Sequence, residues 1–317
     1  MSSAELSFRE GGAADVRATF ELSQRALHAA AVRQGIAESD PAAEQQRIES
    51  AWEAERGLVE FLVAQPGTRY MVCEEGDELV GYARIVRFGE MEELNELMIG
   101  AAHRHHGIGH ALLERCWPGD PTPELGRVAV ALGTPDNLTL YSQFGVMPAT
   151  GHWHMSQPTE RYLEQRSLEI DAPDPGVSML EGDHAAKEWK RLEPLAIGHA
   201  RSELHDFFGR DRVCLATMDP AEGRATALCW VGSKGEIGPA VAETPEALVP
   251  VIVTALDRVA KIHEPETLRV FCTTISWWLL RRLRGLGFHV FWPGWVMCSV
   301  PLPGLDRYVP SMPPRLL

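Results

Sequence analysis

Leu97-Met98-Ile99-Gly100-Ala101-Ala102-His103-Arg104-His105-His106-Gly107-Ile108-Gly109-His110 runs on without a break into Ala111-Leu112-Leu113. An apolar strand ends near Gly100, a loop follows, and Arg104-x-x-Gly107-x-Gly109 opens a helix. The two glycines let the backbone come close to a ligand, and a fresh helix start offers N–H donors with no partner inside the helix. Those donors and the positive end of the helix dipole suit phosphate oxygens, and Arg104 adds a planar cationic fork at the rim.

Outward from this turn, the apolar pattern predicts alternating elements. Leu6–Arg9 reads as a strand, followed by one helix from Ala13 to about Gln34 and another from Pro41 to Val63. Arg69–Glu74 and Leu79–Val86 form a hairpin about a polar turn, and Glu92–Ile99 is the fourth strand. Beyond the glycine turn, a helix reaches Cys116 and is stopped by Pro118-Gly119-Asp120-Pro121-Thr122-Pro123. A strand covers Leu125–Leu132, Gly133–Asn137 caps a helix over Leu138–Phe144, and a last strand runs from Val146 through Met155.

Arg104-His105-His106-Gly107-Ile108-Gly109, with Leu97-x-Ile99 ahead of it, resembles motif A of the GCN5-related N-acetyltransferases, the GNAT superfamily. Asn137-Leu138-Thr139-Leu140-Tyr141-Ser142-Gln143-Phe144-Gly145 resembles their motif B, with Val146 where a phenylalanine is usual and the asparagine closer to the tyrosine than is common. Gly81-Tyr82-Ala83 looks like the centre of the family's third strand. The resemblance covers residues 5–157. After a polar connector over Ser156–Ser167, the element order repeats from Leu168-Glu169-Ile170 to the end, and Leu286-Gly287-Phe288 echoes Phe144-Gly145-Val146. The expected fold is α/β (α+β): two tandem GNAT-like domains, each a mixed, mostly antiparallel sheet flanked by helices. The first spans 1–157 and is the acyl-CoA-binding and catalytic one; the second spans 168–317 and is degenerate. Opposite the glycine turn the second copy reads Gly238-Pro239-Ala240-Val241-Ala242-Glu243-Thr244-Pro245-Glu246, with no arginine and no Gly-x-Gly. Its prolines remove N–H donors, its glutamates repel phosphate, and an apolar position near Leu283 matches Tyr141.

Composition agrees with two domains. The chain has 317 residues, 45% hydrophobic and 23% charged, enough for two cores. A net charge of −14 argues against nucleic acid as a partner. No apolar run approaches the roughly 20 residues that span a bilayer, so no membrane role is expected. Met1-Ser2-Ser3-Ala4-Glu5 lacks a signal-peptide layout, and a cytoplasmic location is expected. The six scattered cysteines read as buried free thiols.

The resemblance implies acyl transfer from acetyl-CoA or another acyl-CoA to a small-molecule amine, without a metal. Arg104, His105, His106, Gly107, Ile108, Gly109, His110 and Asn137 are then the cofactor-binding candidates, and the Ile99 N–H would polarise the thioester carbonyl. Tyr141 is the candidate acid for the leaving thiol. Glu93 and Glu96 are the candidate bases; strand alternation puts them on opposite faces, with Glu92 on the face of Glu96, and all three also read as a solvated strand edge. His106 and His110 stand four apart, but the helix starts between them and no acidic partner stands at zinc-site spacing. His152 and His154 share a strand face, either lining an acceptor pocket or lying on the surface. Trp277-Trp278 and Arg281-Arg282-x-Arg284 read as a half-buried helix with a basic face, or as a dock for an acidic acyl-carrier protein acting as alternative donor. A non-catalytic acyl-CoA sensor is the rival of another class.

Overall fold

The computed structural model describes residues 5–132, 134–169 and 176–317. Met1–Ala4, Gly133 and Ile170 of the readings above lie outside the described residues. By spatial grouping the chain forms two compact units: one takes residues up to Ala129 and Thr139–Val146, the other Val130–Leu138 and Met147–Leu317.

In the first unit, β1 (Leu6–Glu10) leads to helices α1 (Val16–Arg33) and α2 (Pro41–Val63). Asp40 starts α2 by accepting the N–H groups of Ala42 and Ala43, with Pro41 set in the first turn. Next come β2 (Arg69–Glu75), β3 (Glu78–Phe88), β4 (Met91–Ile99), α3 (Ile108–Cys116) and β5 (Gly126–Leu132). The strands lie in the order β1-β2-β3-β4-β5, antiparallel up to β4. β3 is buried almost end to end, the pattern of a strand covered on both faces. β4 and β5 run parallel, pairing Met91–Leu94 with Gly126–Ala129. From Asn95 to Ile99 the register with β3 continues while that with β5 has ended. Helix α4 spans Pro135–Ser142.

In the second unit, β6 (Met147–Pro158) is followed by α5 (Thr159–Ser167), β7 (Val177–Leu180), α6 (Gly182–Ile197) and α7 (Ser202–Phe208). Then come β8 (Val213–Asp219), β9 (Arg224–Val231), β10 (Ile237–Ala242), α8 (Leu248–Ile262), β11 (Thr267–Thr273), α9 (Trp277–Gly285), β12 (His289–Cys298) and β13 (Tyr308–Val309). One sheet has the order β13-β10-β9-β8-β7, and β6 lies between β12 and β11, antiparallel to both. The core is one cluster in which Leu248, Val251, Ile252, Leu256 and Val259 of α8 meet Cys229, Ala240, Val270 and Leu283. Glu193 of α6 is buried under charge: its carboxylate accepts from the Arg201 backbone N–H (2.7 Å) and Nε (3.0 Å), and His205 Nε2 lies 2.9 Å away. Those partners hold its pKa well below the usual carboxylate range against the opposing effect of burial.

Three sequence readings shift. The repeat does not open with a strand at Leu168-Glu169; the strand is Val177–Leu180, where Val177-Ser178-Met179-Leu180 pairs with β8. Ser156-Gln157-Pro158 belongs to β6, because each pairs with β11. The Pro-rich tail, Pro301 to Pro314, reads from the sequence as a closing flap over the core, and within it Tyr308 and Val309 add an edge strand to β10.

Candidate functional site

The turn after β4 is shaped by the backbone. Gly100 N–H bonds to Val80 O (2.8 Å), a short 3-10 turn covers Ala101–His103, and His105 takes a positive φ of 64°. Gly107 sits just before α3 at φ 80°, ψ −3°, a left-handed conformation that favours glycine. A Cβ built there meets nothing within 4 Å, so the space above the turn is open. The first helical hydrogen bond runs from Ala111 N–H to Gly107 O (3.0 Å). The N–H groups of Ile108, Gly109 and His110 therefore precede the ladder and face outward.

Neighbours fix this turn in place. Gly81 on β3 pairs with Ile99, and a Cβ on it would come within 2.8 Å of Ile99 Cδ1 and 3.3 Å of Ile108 Cγ2. Glycine there lets α3 start close against the sheet. A Cβ on Gly109 would stand 3.4 Å from Leu140 Cδ2, which brings α4 to the same turn, and the His110 ring lies 5.1 Å from that of Phe144. Arg104 is half-buried, with Nε 3.4 Å from Ile99 O. Its pKa is lowered, first by burial and then by repulsion from Arg33 at the end of α1. Arg33 acts on Arg104 by charge, which sequence reasoning missed: it lies 71 positions before Arg104, and no local pattern joins them.

The acidic strand is not a solvated edge: Glu92, Glu93 and Glu96 are 2%, 1% and 6% exposed. Nor do Glu93 and Glu96 face opposite ways. Glu93 pairs with Val86 and Glu96 with Arg84, while Leu94 pairs with Ile85, so Asn95 is an extra residue in a β-bulge. Val86 and Arg84 share a face of β3, so Glu93 and Glu96 do too, and Glu92, opposite Arg87, is on the other. Arg84 spans the bulge: Nε donates to Asn95 Oδ1 (2.6 Å) and Nη2 to Glu96. Its guanidinium lies 5.3 Å from the Tyr70 ring centroid, and the Tyr70 hydroxyl bonds Thr19 of α1 (2.6 Å). Glu92 serves the opposite face, where Arg69 Nη2 (2.5 Å) and Arg127 Nε (3.7 Å) flank it. Arg69 also donates to Cys116 O at the end of α3, which makes Glu92 part of the helix's anchorage.

Tyr141 is buried on α4, and its hydroxyl has no hydrogen-bond partner among the described residues. Burial pushes its pKa upward, so the phenol keeps its proton through the physiological range. Asn137 acts locally: its Nδ2 donates to Leu132 O (3.2 Å), and its N–H meets Thr134 Oγ1 (3.3 Å). His103 bonds Glu75 (3.0 Å), while His105, His106 and His110 are exposed. No three His, Cys, Asp or Glu side chains among the described residues form a metal-binding group. All six cysteines are buried and unpaired, and burial pushes Cys116 and Cys214 up to about 12. A cavity of about 700 Å³ in this unit lies at Gly11, Glu60, Arg69 and Tyr70, away from the glycine turn.

The second unit's counterpart is closed by its own side chains. Thr244 Oγ1 accepts the Ala247 N–H (3.3 Å), and Glu243 is paired with Arg191 (2.7 Å) and Arg224. No left-handed glycine precedes α8; its cap is Ala247 at φ −66°. Leu283, at the place of Tyr141, is fully buried.

Residues 66–145, from just before β2 to just after α4, match the family model "Acetyltransferase (GNAT) domain". The chain carries a domain of the GNAT superfamily. Over 130 residues it is 28% identical to a mycothiol acetyltransferase of Sanguibacter keddieii, the match covering 40% of this chain and 41% of that protein. The matched part thus spans about two fifths of the curated relative's length. Among solved structures, an acetyltransferase candidate from Pyrococcus horikoshii superposes with a TM-score of 0.67 at 14% identity, over 96% of this chain and 92% of that one. A tandem GNAT protein from the clavulanic acid biosynthesis pathway superposes with a TM-score of 0.60 at 17% identity, over 94% and 99%. At these identities the structures establish the fold alone: two tandem GNAT-like domains. No helix among the described residues is long and apolar enough to cross a membrane.

Proposed function

We propose that this protein is an acyl-CoA-dependent N-acyltransferase, using acetyl-CoA, that acts on a small-molecule amine through its N-terminal domain (1–157), while the C-terminal domain (168–317) does not bind the donor. The supporting observation is the turn at Gly107: three outward N–H donors at a helix start, open space above the left-handed glycine, and Arg104 beside it, on which Arg33 acts by charge. These residues suit a diphosphate. Ile108, Gly109 and His110 would hold it through backbone N–H groups, and Arg104 and Arg33 would add charge. The thioester supplies an activated acyl group. The Ile99 N–H, on the part of β4 past the register with β5, is the donor for its carbonyl oxygen. Tyr141 holds a proton for the departing sulfur. The bulge brings both candidate bases, Glu93 and Glu96, to one face, and Glu96 is bound there to Arg84.

The acceptor class is carried by the mycothiol acetyltransferase likeness. A carrier-protein donor has less support: Trp277 and Trp278 are exposed on α9, but Arg282 of its basic face is taken up by Glu169 (2.5 Å) and Arg284 by Phe288 O (2.8 Å). The test is release of free thiol from acetyl-CoA across a panel of small amines, repeated with an acetylated carrier protein. Turnover with acetyl-CoA and a dependence on Tyr141 support the reading. Tight binding of acetyl-CoA with no transfer to any amine would favour the sensor.

A further inference from the structure

The second unit holds a group of buried polar atoms that the acyl-transfer reading does not use. On β6, His152 and His154 are not surface residues: His152 is 0% exposed and His154 9%. Their rings lie 5.0 Å apart, edge to face. Phe271 of β11 packs on both, at 5.1 Å and 4.4 Å, and Phe291 and Trp292 of β12 stand 5.8 Å and 6.4 Å from His154. The register explains the gathering. His154 is paired with Phe271 on one side and Trp292 on the other, and the step in register between Val290 and Trp292 adds Phe291 to the strand. Beside His152, β12 has Gly294, where a Cβ would come within 2.7 Å of Ala131 O.

Both ring nitrogens of His152 are buried without a hydrogen-bond partner among the described residues, and so is Trp292 Nε1. An imidazole always has at least one N–H to donate, and an indole N–H can only donate. Leaving such groups unsatisfied is unfavourable, which is why buried polar atoms nearly always have partners. Trp292 is paired with His154, two residues along β6 from His152 on the same face, so the three atoms belong to one face of β6 and β12, and a bound molecule would satisfy them. His154 and Trp292 keep a sliver of exposure where His152 keeps none, so the way in lies past them. At that edge Arg269 lies over the Phe291 ring (5.8 Å), and its charge, after burial, lowers the pKa of His154 to about 4. Burial, then His154, lowers that of His152 as well. The site is therefore rich in donors, walled by aromatic rings and edged by a cation.

The geometry points to a binding site in the second unit for a small molecule bearing a carboxylate, its oxygens taken by the His152 imidazole and Trp292 Nε1–H and its apolar part set among Phe271, Phe291 and Trp292. Arg269 over the Phe291 ring opposes a cationic ligand. The site makes the second unit, to which β6, β11 and β12 belong, a ligand-binding module.

The test uses the full chain without coenzyme A and three probes of one shape: benzoate, benzamide and benzylamine. Imidazole and indole nitrogen NMR signals report on His152 and Trp292. Benzoate should shift both saturably, benzamide should bind at least tenfold more weakly, and benzylamine should do nothing. Trp292→Phe keeps the ring, loses the N–H and should weaken benzoate at least tenfold; His152→Phe should do the same if it folds. No saturable shift with benzoate, an equal response to benzylamine, or full benzoate affinity in Trp292→Phe would each overturn the inference.

Discussion

Gly107→Ala separates the two jobs that Gly107 can have. The residue sits at φ 80°, and a Cβ there touches nothing within 4 Å. The change therefore brings backbone strain and no clash. A left-handed non-glycine residue costs about 1–2 kcal/mol, which in a chain of this size lowers Tm by roughly 2–8 °C. Relief of that strain rotates the following peptide and turns the Ile108 N–H away from its outward direction. A hydrogen bond to a charged group contributes about 1.5–3 kcal/mol, so losing one weakens binding of coenzyme A by roughly 10- to 150-fold. Pantetheine has the same thiol arm and no diphosphate. Calorimetric titration of wild type and variant with both molecules should show the loss for coenzyme A and none for pantetheine. Unchanged coenzyme A affinity in a folded Gly107→Ala protein, or an equal loss for pantetheine, would refute the diphosphate grip.

Tyr141→Phe should lower kcat about 10²- to 10⁴-fold and leave Tm within about 1 °C, because the hydroxyl has no partner among the described residues to lose. Removing one member of the buried Arg84–Glu96 pair, as in Glu96→Ala, should destabilise the fold by about 3–5 kcal/mol, and a double-mutant cycle with Arg84→Met in urea should give less than the sum. His154 has its pKa lowered from 6.5 to about 4 by burial, then by Arg269. The unfolded chain thus binds a proton between those values that the folded chain refuses, so stability falls with pH over that window, by about 3 kcal/mol from this group. Urea melts at pH 7 and 4.5 should show a smaller drop for His154→Phe than for wild type. Gly238→Ala should destabilise strongly, since φ is 114° there and a Cβ would come within 2.5 Å of Pro310 O; thermal melting reads it directly.

The order of elements around the glycine turn was legible because each carries its own local signal. Pro41 and Asp40 start a helix, Gly76 turns a hairpin, and the prolines after Cys116 stop one. The site's inner geometry was not. Period-2 alternation separates Glu93 from Glu96 only in a regular strand, and the extra residue at Asn95 reverses that; a bulge is a property of the pairing with β3, which the strand's own residues do not announce. Arg33 acts on the Arg104 charge across 71 positions of sequence, a long-range effect with no periodicity. His152 and His154 show the same limit: alternation put them on one face, but only β11 and β12 on either side of β6 determine that the face is buried.

Hydrogen–deuterium exchange on the full chain with and without acetyl-CoA places the donor most directly. Protection should appear over Ile99–Leu112 and at Tyr141, with no change over Gly238–Val253. Protection confined to Gly238–Val253, or none at Gly107–His110 under saturating donor, would contradict the assignment of the glycine turn.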